Sequence, residues 1–190
     1  MADKLTAVSL FTGAGGMDIG FERAGIEVIF ANELMSEAAA TYNANHASGV
    51  MVNDDVNNIL DSLGQFQGVD LVFWGPPCQG FSVAGKMNPD DKRSKLIFTF
   101  LDVIEKVRPR AFVMENVKAL GVLEKWEPVR RKYLDRVRAL GYNCVPFILN
   151  ATEYGVSQKR ERVFFIGIRD NGDPFFEYYM KDLLLQQKND

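Results

Sequence analysis

The stretch Ala7-Val8-Ser9-Leu10-Phe11-Thr12-Gly13-Ala14-Gly15-Gly16-Met17-Asp18 decides the fold. Ala7–Phe11 is a short, mostly apolar run of the kind that builds a buried strand, and the glycines after it let the backbone leave that strand in a tight turn. Asp18–Ala24 then reads as a helix that stops at Gly25, so the unit is strand, turn, helix. Such a turn brings backbone amides and a helix N-terminus close to a nucleotide-like ligand. It does not match G-x-G-x-x-G, and taken alone a glycine-rich turn without a ligand is an equally good reading.

Working outward, apolar runs recur at Val28–Ala31, Val69–Trp74, Ala111–Met114, Val145–Leu149 and Val163–Ile168, and each is expected to be a strand. Helical patterns cover Ser36–Asn45, Ser94–Val107, which stops before Pro109, and Pro128–Leu140, which stops at Gly141. Strand and helix in alternation predict a mostly parallel α/β sheet wrapped on both faces. Nothing helical separates the last two runs, so they are expected to form an antiparallel pair closing the sheet edge. One domain is expected over residues 1–169. After it come a linker, Asp170-Asn171-Gly172-Asp173-Pro174, and a tail, Phe175–Gln187, that reads as a short amphipathic helix or a frayed end.

Composition narrows the class. A chain of 190 residues that is 47% apolar suffices for one core. Cys78 and Cys144 form no C-x-x-C pair, which suits a reducing compartment, and only His46 could join them around zinc, so no metal site is expected. No apolar run reaches the roughly 18 residues of a membrane span, and the first residues lack a secretory pattern. The expectation is a cytoplasmic protein, associated with the nucleoid if bacterial. The net charge of −3 hides an asymmetry. Residues 1–60 carry two basic and eight acidic side chains, whereas residues 86–162 carry seventeen and ten. The basic stretch could face phosphates. For Arg130, Arg131, Lys132, Arg136 and Arg138 the plainer reading, a solvated helix face, is preferred.

Four constellations could carry chemistry. The glycine turn gains weight from Ala31-Asn32-Glu33, which puts an acid at the end of the next strand, where such folds hold a ribose hydroxyl. Asp54-Asp55, after a probable third strand, could accept from an adenine amino group. Gly75-Pro76-Pro77-Cys78-Gln79-Gly80-Phe81-Ser82 follows a strand directly, and its prolines lift a thiol into a loop; Cys144 reads as a small buried hydrophobe. Met114-Glu115-Asn116-Val117 brings a carboxylate to a strand end, either as a site residue or as a mere cap or ion-pair partner. In Gln158-Lys159-Arg160-Glu161-Arg162 the two arginines alternate onto one side of an extended chain, a geometry for gripping an anion or carbonyl.

Phe11-x-Gly-x-Gly-Gly, Pro77-Cys78-Gln79, Glu115-Asn116-Val117 and Gln158-x-Arg160-x-Arg162, in that order over roughly residues 5–169, resemble the DNA (cytosine-5)-methyltransferases. Arg93-Ser94-Lys95-Leu96 resembles the step after that family's active-site loop. The resemblance implies a Rossmann-like, S-adenosyl-L-methionine-dependent methyltransferase sheet acting on double-stranded DNA, without a metal. It implies catalytic roles for Cys78, Glu115, Arg160 and Arg162, and a lid over Phe81–Arg93 whose Lys86, Lys92 and Arg93 touch phosphates. Cofactor contacts are implied at Phe11, Gly13, Gly15, Gly16, Glu33, Asp55, Gly75, Pro77 and Leu96. Leu34 replaces the family's frequent aromatic beside the acid, which implies weaker stacking on adenine.

Members of that family continue into a target-recognition region and a closing segment, and the resemblance implies that both are missing. A split-enzyme subunit, a truncation and a degenerate relative all fit. The first of these calls for a second polypeptide carrying the recognition region; Phe175, Phe176, Tyr178 and Tyr179 read equally as its docking surface or as residues packed back onto their own sheet. The competing readings are a silent S-adenosyl-L-methionine- or DNA-binding regulator and a tRNA cytosine methyltransferase. Restriction-modification and purely regulatory roles both remain open.

Overall fold

A computed structural model describes residues 4–76 and 92–169, together with position 182. Seven strands form one sheet: β1 (Thr6–Leu10), β2 (Glu27–Glu33), β3 (Met51–Asn53), β4 (Leu71–Trp74), β5 (Ala111–Val117), β6 (Tyr142–Asn150) and β7 (Glu161–Arg169). Their spatial order is β3-β2-β1-β4-β5-β7-β6. β1 to β5 run parallel, and β7 lies antiparallel between β5 and β6. The expected antiparallel pair therefore exists, with the last strand inserted inside the edge and β6 outside it. Pro146, which has no N–H to donate, lies on that edge strand, where a proline is tolerated.

The period-two alternation of the strands assigns the two faces. Val8, Leu10, Val72, Trp74, Phe112 and Met114 turn to one core. There they meet α4 (Lys92–Val107) and α6 (Glu127–Ala139) through Phe100, Ile104, Tyr133 and Val137. Ala7, Leu71 and Phe73 turn to the other, against Phe21 of α1 (Gly16–Arg23) and Tyr42 of α2 (Ser36–Asn45). Gly167 pairs with Phe112 across β7 and β5, and a Cβ there would fall 2.2 Å from the Phe112 ring.

Several element bounds differ from the sequence reading for identifiable reasons. β4 starts at Leu71 because Asp70 turns its carboxylate to the Thr6 N–H, 2.9 Å away, instead of continuing the apolar run. β5 runs on to Val117 and β7 begins at Glu161, so Glu115 and Arg162 lie inside paired strands and not beyond their ends. The short helices α3 (Val56–Ile59) and α5 (Lys118–Val122) were not expected, since four or five residues are too few to show an amphipathic repeat.

The basic face of α6 is engaged within the fold. Arg130 donates to the Leu120 and Leu123 carbonyls, Arg136 pairs with Asp102 and Glu105 of α4, and Lys132 lies over the Phe98 ring. Arg131 and Arg138 pair with Glu127 and Asp135 of their own helix. Cys144 packs against the core, and burial pushes its thiol up. Among the described residues no helix is long and apolar enough to cross a membrane, and no metal-ligating cluster occurs. Apart from position 182, the tail Phe175–Gln187 lies outside the described residues.

Candidate active site

Strand order reverses between β1 and β4, so the chains leaving those two strands diverge and open a crevice at their carboxyl ends. The site is built there. Phe11 leaves β1 with φ 52°, a left-handed conformation uncommon for a bulky residue, and its ring lies 4.4 Å from that of Trp74 at the end of β4. Gly13 and Gly15 follow with φ 57° and 88°, and Gly15 caps α1.

Glu33 holds this turn against the end of β2. One carboxylate oxygen accepts from the Gly13 N–H and the other from the Met35 N–H, each at 2.9 Å, with the residue 7% exposed. Asn32 supports the same edge by donating to the Val52 and Asp54 carbonyls. Asp55, expected to face a ligand, accepts from the Asn57 N–H as the N-cap of α3 while still lining a cavity of about 90 Å³ with Phe11, Leu34 and Leu96. Leu34 is 58% exposed at that rim.

Phe11 also borders a second cavity, of about 260 Å³, lined by Ser9, Thr12, Gly16, Asp18, Gly75 and Glu115. Met17, Glu115 and Arg160 border both this space and a third cavity, of about 350 Å³, walled by Leu149, Tyr154, Arg162 and Phe164. The three cavities thus adjoin along the carboxyl edge of the sheet.

At their junction Arg162 Nε lies 3.0 Å from Glu115 Oε1, and an Arg160 guanidinium nitrogen lies 4.0 Å from the same oxygen. Glu161, between the two arginines, turns the other way to Lys118, 2.7 Å distant, so the alternation read from the sequence holds. Burial pushes the Glu115 carboxyl above its ordinary range, and Arg162 and then Arg160 pull it part of the way back. A carboxyl raised in this way keeps a proton more readily than an exposed one, and can donate it or share it in a strong hydrogen bond.

The structure therefore brings together Glu115, Arg160 and Arg162, and separately Phe11, Gly13, Gly15, Gly16, Glu33, Asp55, Gly75 and Leu96. Pro77, Cys78 and the expected lid over Phe81–Arg93 lie outside the described side chains. Met17, Asn32, Leu149 and Tyr154 belong to the site without having been singled out as site residues. Met17 and Asn32 stood inside motifs already quoted, next to more conspicuous neighbours. Leu149 and Tyr154 border a cavity that forms only when β6 and β7 pair, and no local pattern announces them.

A Rossmann-like α/β sheet with a glycine turn, a turn-binding acid and a carboxylate–guanidinium pair at its carboxyl edge defines the class. The chain belongs to the C-5 cytosine-specific DNA methylase family, whose profile matches residues 5–189. It is 39% identical over 163 residues to the type II methyltransferase M.FnuDI of Fusobacterium nucleatum, covering 85% of this chain and 46% of the relative. It is 37% identical over 180 residues to M.AquIA of a Picosynechococcus species, covering 85% of this chain and 71% of that protein. A prophage-encoded E. coli protein described as a DNA modification methyltransferase superposes with a TM-score of 0.74 at 32% identity, covering 87% of this chain and 47% of its own. The chain spans about half the length of M.FnuDI and of several other curated type II methyltransferases that it matches.

Proposed function

We propose that the chain methylates carbon 5 of cytosine in double-stranded DNA through a covalent cysteine adduct. The observation that carries this reading is the Glu115–Arg162 pair at the meeting of two cavities, one running to the glycine turn and the other open beyond it. The first suits S-adenosyl-L-methionine. Its apolar extension between Phe11, Leu34 and Leu96 suits a purine, the Glu33 carboxylate retains acceptor capacity for a ribose hydroxyl, and Ser9, Thr12 and Gly16 offer polar groups to an amino-acid end. Bound there, the cofactor supplies an electrophilic methyl group to carbon 5.

The chain's own residues make that carbon reactive. The Cys78 thiolate adds to carbon 6 of the ring, forming a carbon–sulfur bond and pushing the electron pair of the 5,6 double bond toward the ring carbonyl and N3. Glu115 donates a proton or strong hydrogen bond at N3, so the displaced charge is not left bare in a half-buried pocket. Arg162 orients Glu115 and grips the O2 carbonyl, and Arg160 supports Cys78 or a phosphate. Once carbon 5 carries the methyl group, loss of its proton restores the double bond and expels the thiolate. A stacked base cannot present carbon 6 to a thiol, so the cytosine must be rotated out of the duplex, at a cost of a few kcal/mol. The polar and basic content of residues 81–93 suits a segment that closes over the flipped base, and recognition of the DNA sequence falls to a further region or a second polypeptide. The working place is the cytoplasm, at the nucleoid in a bacterium.

The test is transfer of labelled methyl from S-adenosyl-L-methionine to unmethylated duplex DNA, with Cys78→Ser and a tRNA substrate as controls. Label on DNA that is absent from the variant supports the thiol route. Label on tRNA alone would make the chain an RNA enzyme. No label from the folded chain, alone or with the product of the adjacent reading frame, would leave a silent binding protein.

A further inference from the structure

The cluster left unused by this mechanism lies behind the glycine turn, where Asp18 and Glu22 of α1 face Tyr42 and His46 at the end of α2. Both pairs are spaced four residues apart, so they stack as two rungs between the helices. The Tyr42 hydroxyl donates to Asp18 Oδ1 at 3.1 Å, and His46 Nδ1 lies 3.3 Å from Glu22 Oε1. The His46 ring stacks on Tyr42 with centroids 4.1 Å apart, and its side chain is 1% exposed. Its Nε2 is buried without a hydrogen-bond partner. That nitrogen points at Gly15, where a Cβ would fall only 2.0 Å from it.

We propose that His46 is a positioning residue of the cofactor cleft, a ring that fills the space beside Gly15 and braces the glycine turn from the side away from the ligand. The inference rests on the cofactor reading above. Gly15 is the hinge of the turn: its N–H donates to the Thr12 carbonyl and its own carbonyl accepts from the Ile19 N–H, both at 3.0 Å. Whatever fixes Gly15 therefore fixes both the loop before it and the first turn of α1. Gly16, Met17 and Asp18, which follow at once, line the cavity. The ring is held from both helices, by Glu22 of α1 at Nδ1 and by Tyr42 of α2 against its face, so its bulk is fixed beside Gly15.

The experiment compares wild type, His46→Ala and His46→Phe. Binding of S-adenosyl-L-homocysteine is measured by calorimetric titration. Hydrogen exchange of the Gly13–Asp18 amides is followed without ligand. His46→Ala is expected to bind about tenfold more weakly, equivalent to roughly 1.4 kcal/mol, with faster exchange in the turn and unchanged exchange in β1 and β4. His46→Phe, which restores a ring of similar bulk, is expected to bind within about threefold of wild type and to exchange like it in the turn. Wild-type binding and turn exchange in His46→Ala would overturn the proposal, as would a His46→Phe that loosens the turn as much as His46→Ala. A wild type that binds no cofactor analogue would sink the cofactor reading instead, and the exchange comparison would still decide the role of His46.

Discussion

Arg162 reaches Glu115 diagonally across the sheet: in the β5–β7 register Glu115 stands opposite Phe164, and Arg162 opposite Val117, two residues on. Only a long side chain spans that diagonal, and lysine offers one point charge where arginine offers a fork. Arg162→Lys is therefore expected to lower the rate of methyl transfer by about 10²-fold. Arg160→Lys, whose parent side chain is half exposed and 4.0 Å away, should have a smaller effect. Arg162→Met removes the larger of the two influences that lower the Glu115 carboxyl while burial remains. Its titration, followed by carbon NMR, should move to higher pH than in wild type. A folded-state value raised in this way means the folded protein holds the proton more tightly than the unfolded chain. The contribution of Glu115 to the variant's stability should therefore be most favourable below the unfolded-state value and be lost as pH rises through the folded one.

Glu33 is expected to matter before any ligand arrives, because both its oxygens accept backbone N–H groups. Glu33→Gln keeps the shape but turns an amide NH₂ toward one of them, leaving a buried donor facing a donor. A loss of about 1–3 kcal/mol in urea unfolding is expected, with faster exchange at the Gly13 or Met35 amide. Wild-type stability and exchange in the variant would show that the carboxylate does not hold the turn.

Much of this arrangement was legible because its parts are local. The alternation of Arg160 and Arg162 and the position of Glu33 at a strand end follow from strand geometry alone. What could not be read depends on which elements meet. His46 entered the sequence reading only as a possible third ligand beside the two cysteines, whereas α2 delivers it behind Gly15, 31 positions away in the chain. The basic run of α6 carried a charge pattern that suits phosphates, yet its partners Asp102 and Glu105 come from another helix. Even the inserted position of β7 needed the sheet itself, since an antiparallel pair can join an edge in either order.

Asp70 is expected to make the stability of the amino-terminal strand pH-dependent. The Thr6 N–H, and after it Arg110, hold its carboxyl below the ordinary range. A depressed value stabilises the fold above the unfolded-state value of about 3.9, and that stabilisation is lost as pH falls through the lower folded value. The gap in urea midpoint between wild type and Asp70→Asn should therefore be constant near pH 6 and close progressively below pH 4. A gap that stays constant to pH 3 would mean that the ion pair and the hydrogen bond contribute nothing.

The charges of α6 separate a structural account from a DNA-binding one. Arg131 and Arg138 have side chains 71% and 79% exposed and pair within their own helix. Such pairs contribute about 0.3–0.5 kcal/mol each. Arg131→Gln with Arg138→Gln should accordingly cost little stability and leave both DNA affinity and its salt dependence as in wild type. Arg160→Gln acts at the mouth of the site, where a phosphate contact would release a counterion, and is expected to reduce the slope of log affinity against log salt by about one. A double α6 variant that flattens that slope while Arg160→Gln does not would move the DNA from the carboxyl edge of the sheet to its helical flank, and Arg160 would then be left with Glu115 alone.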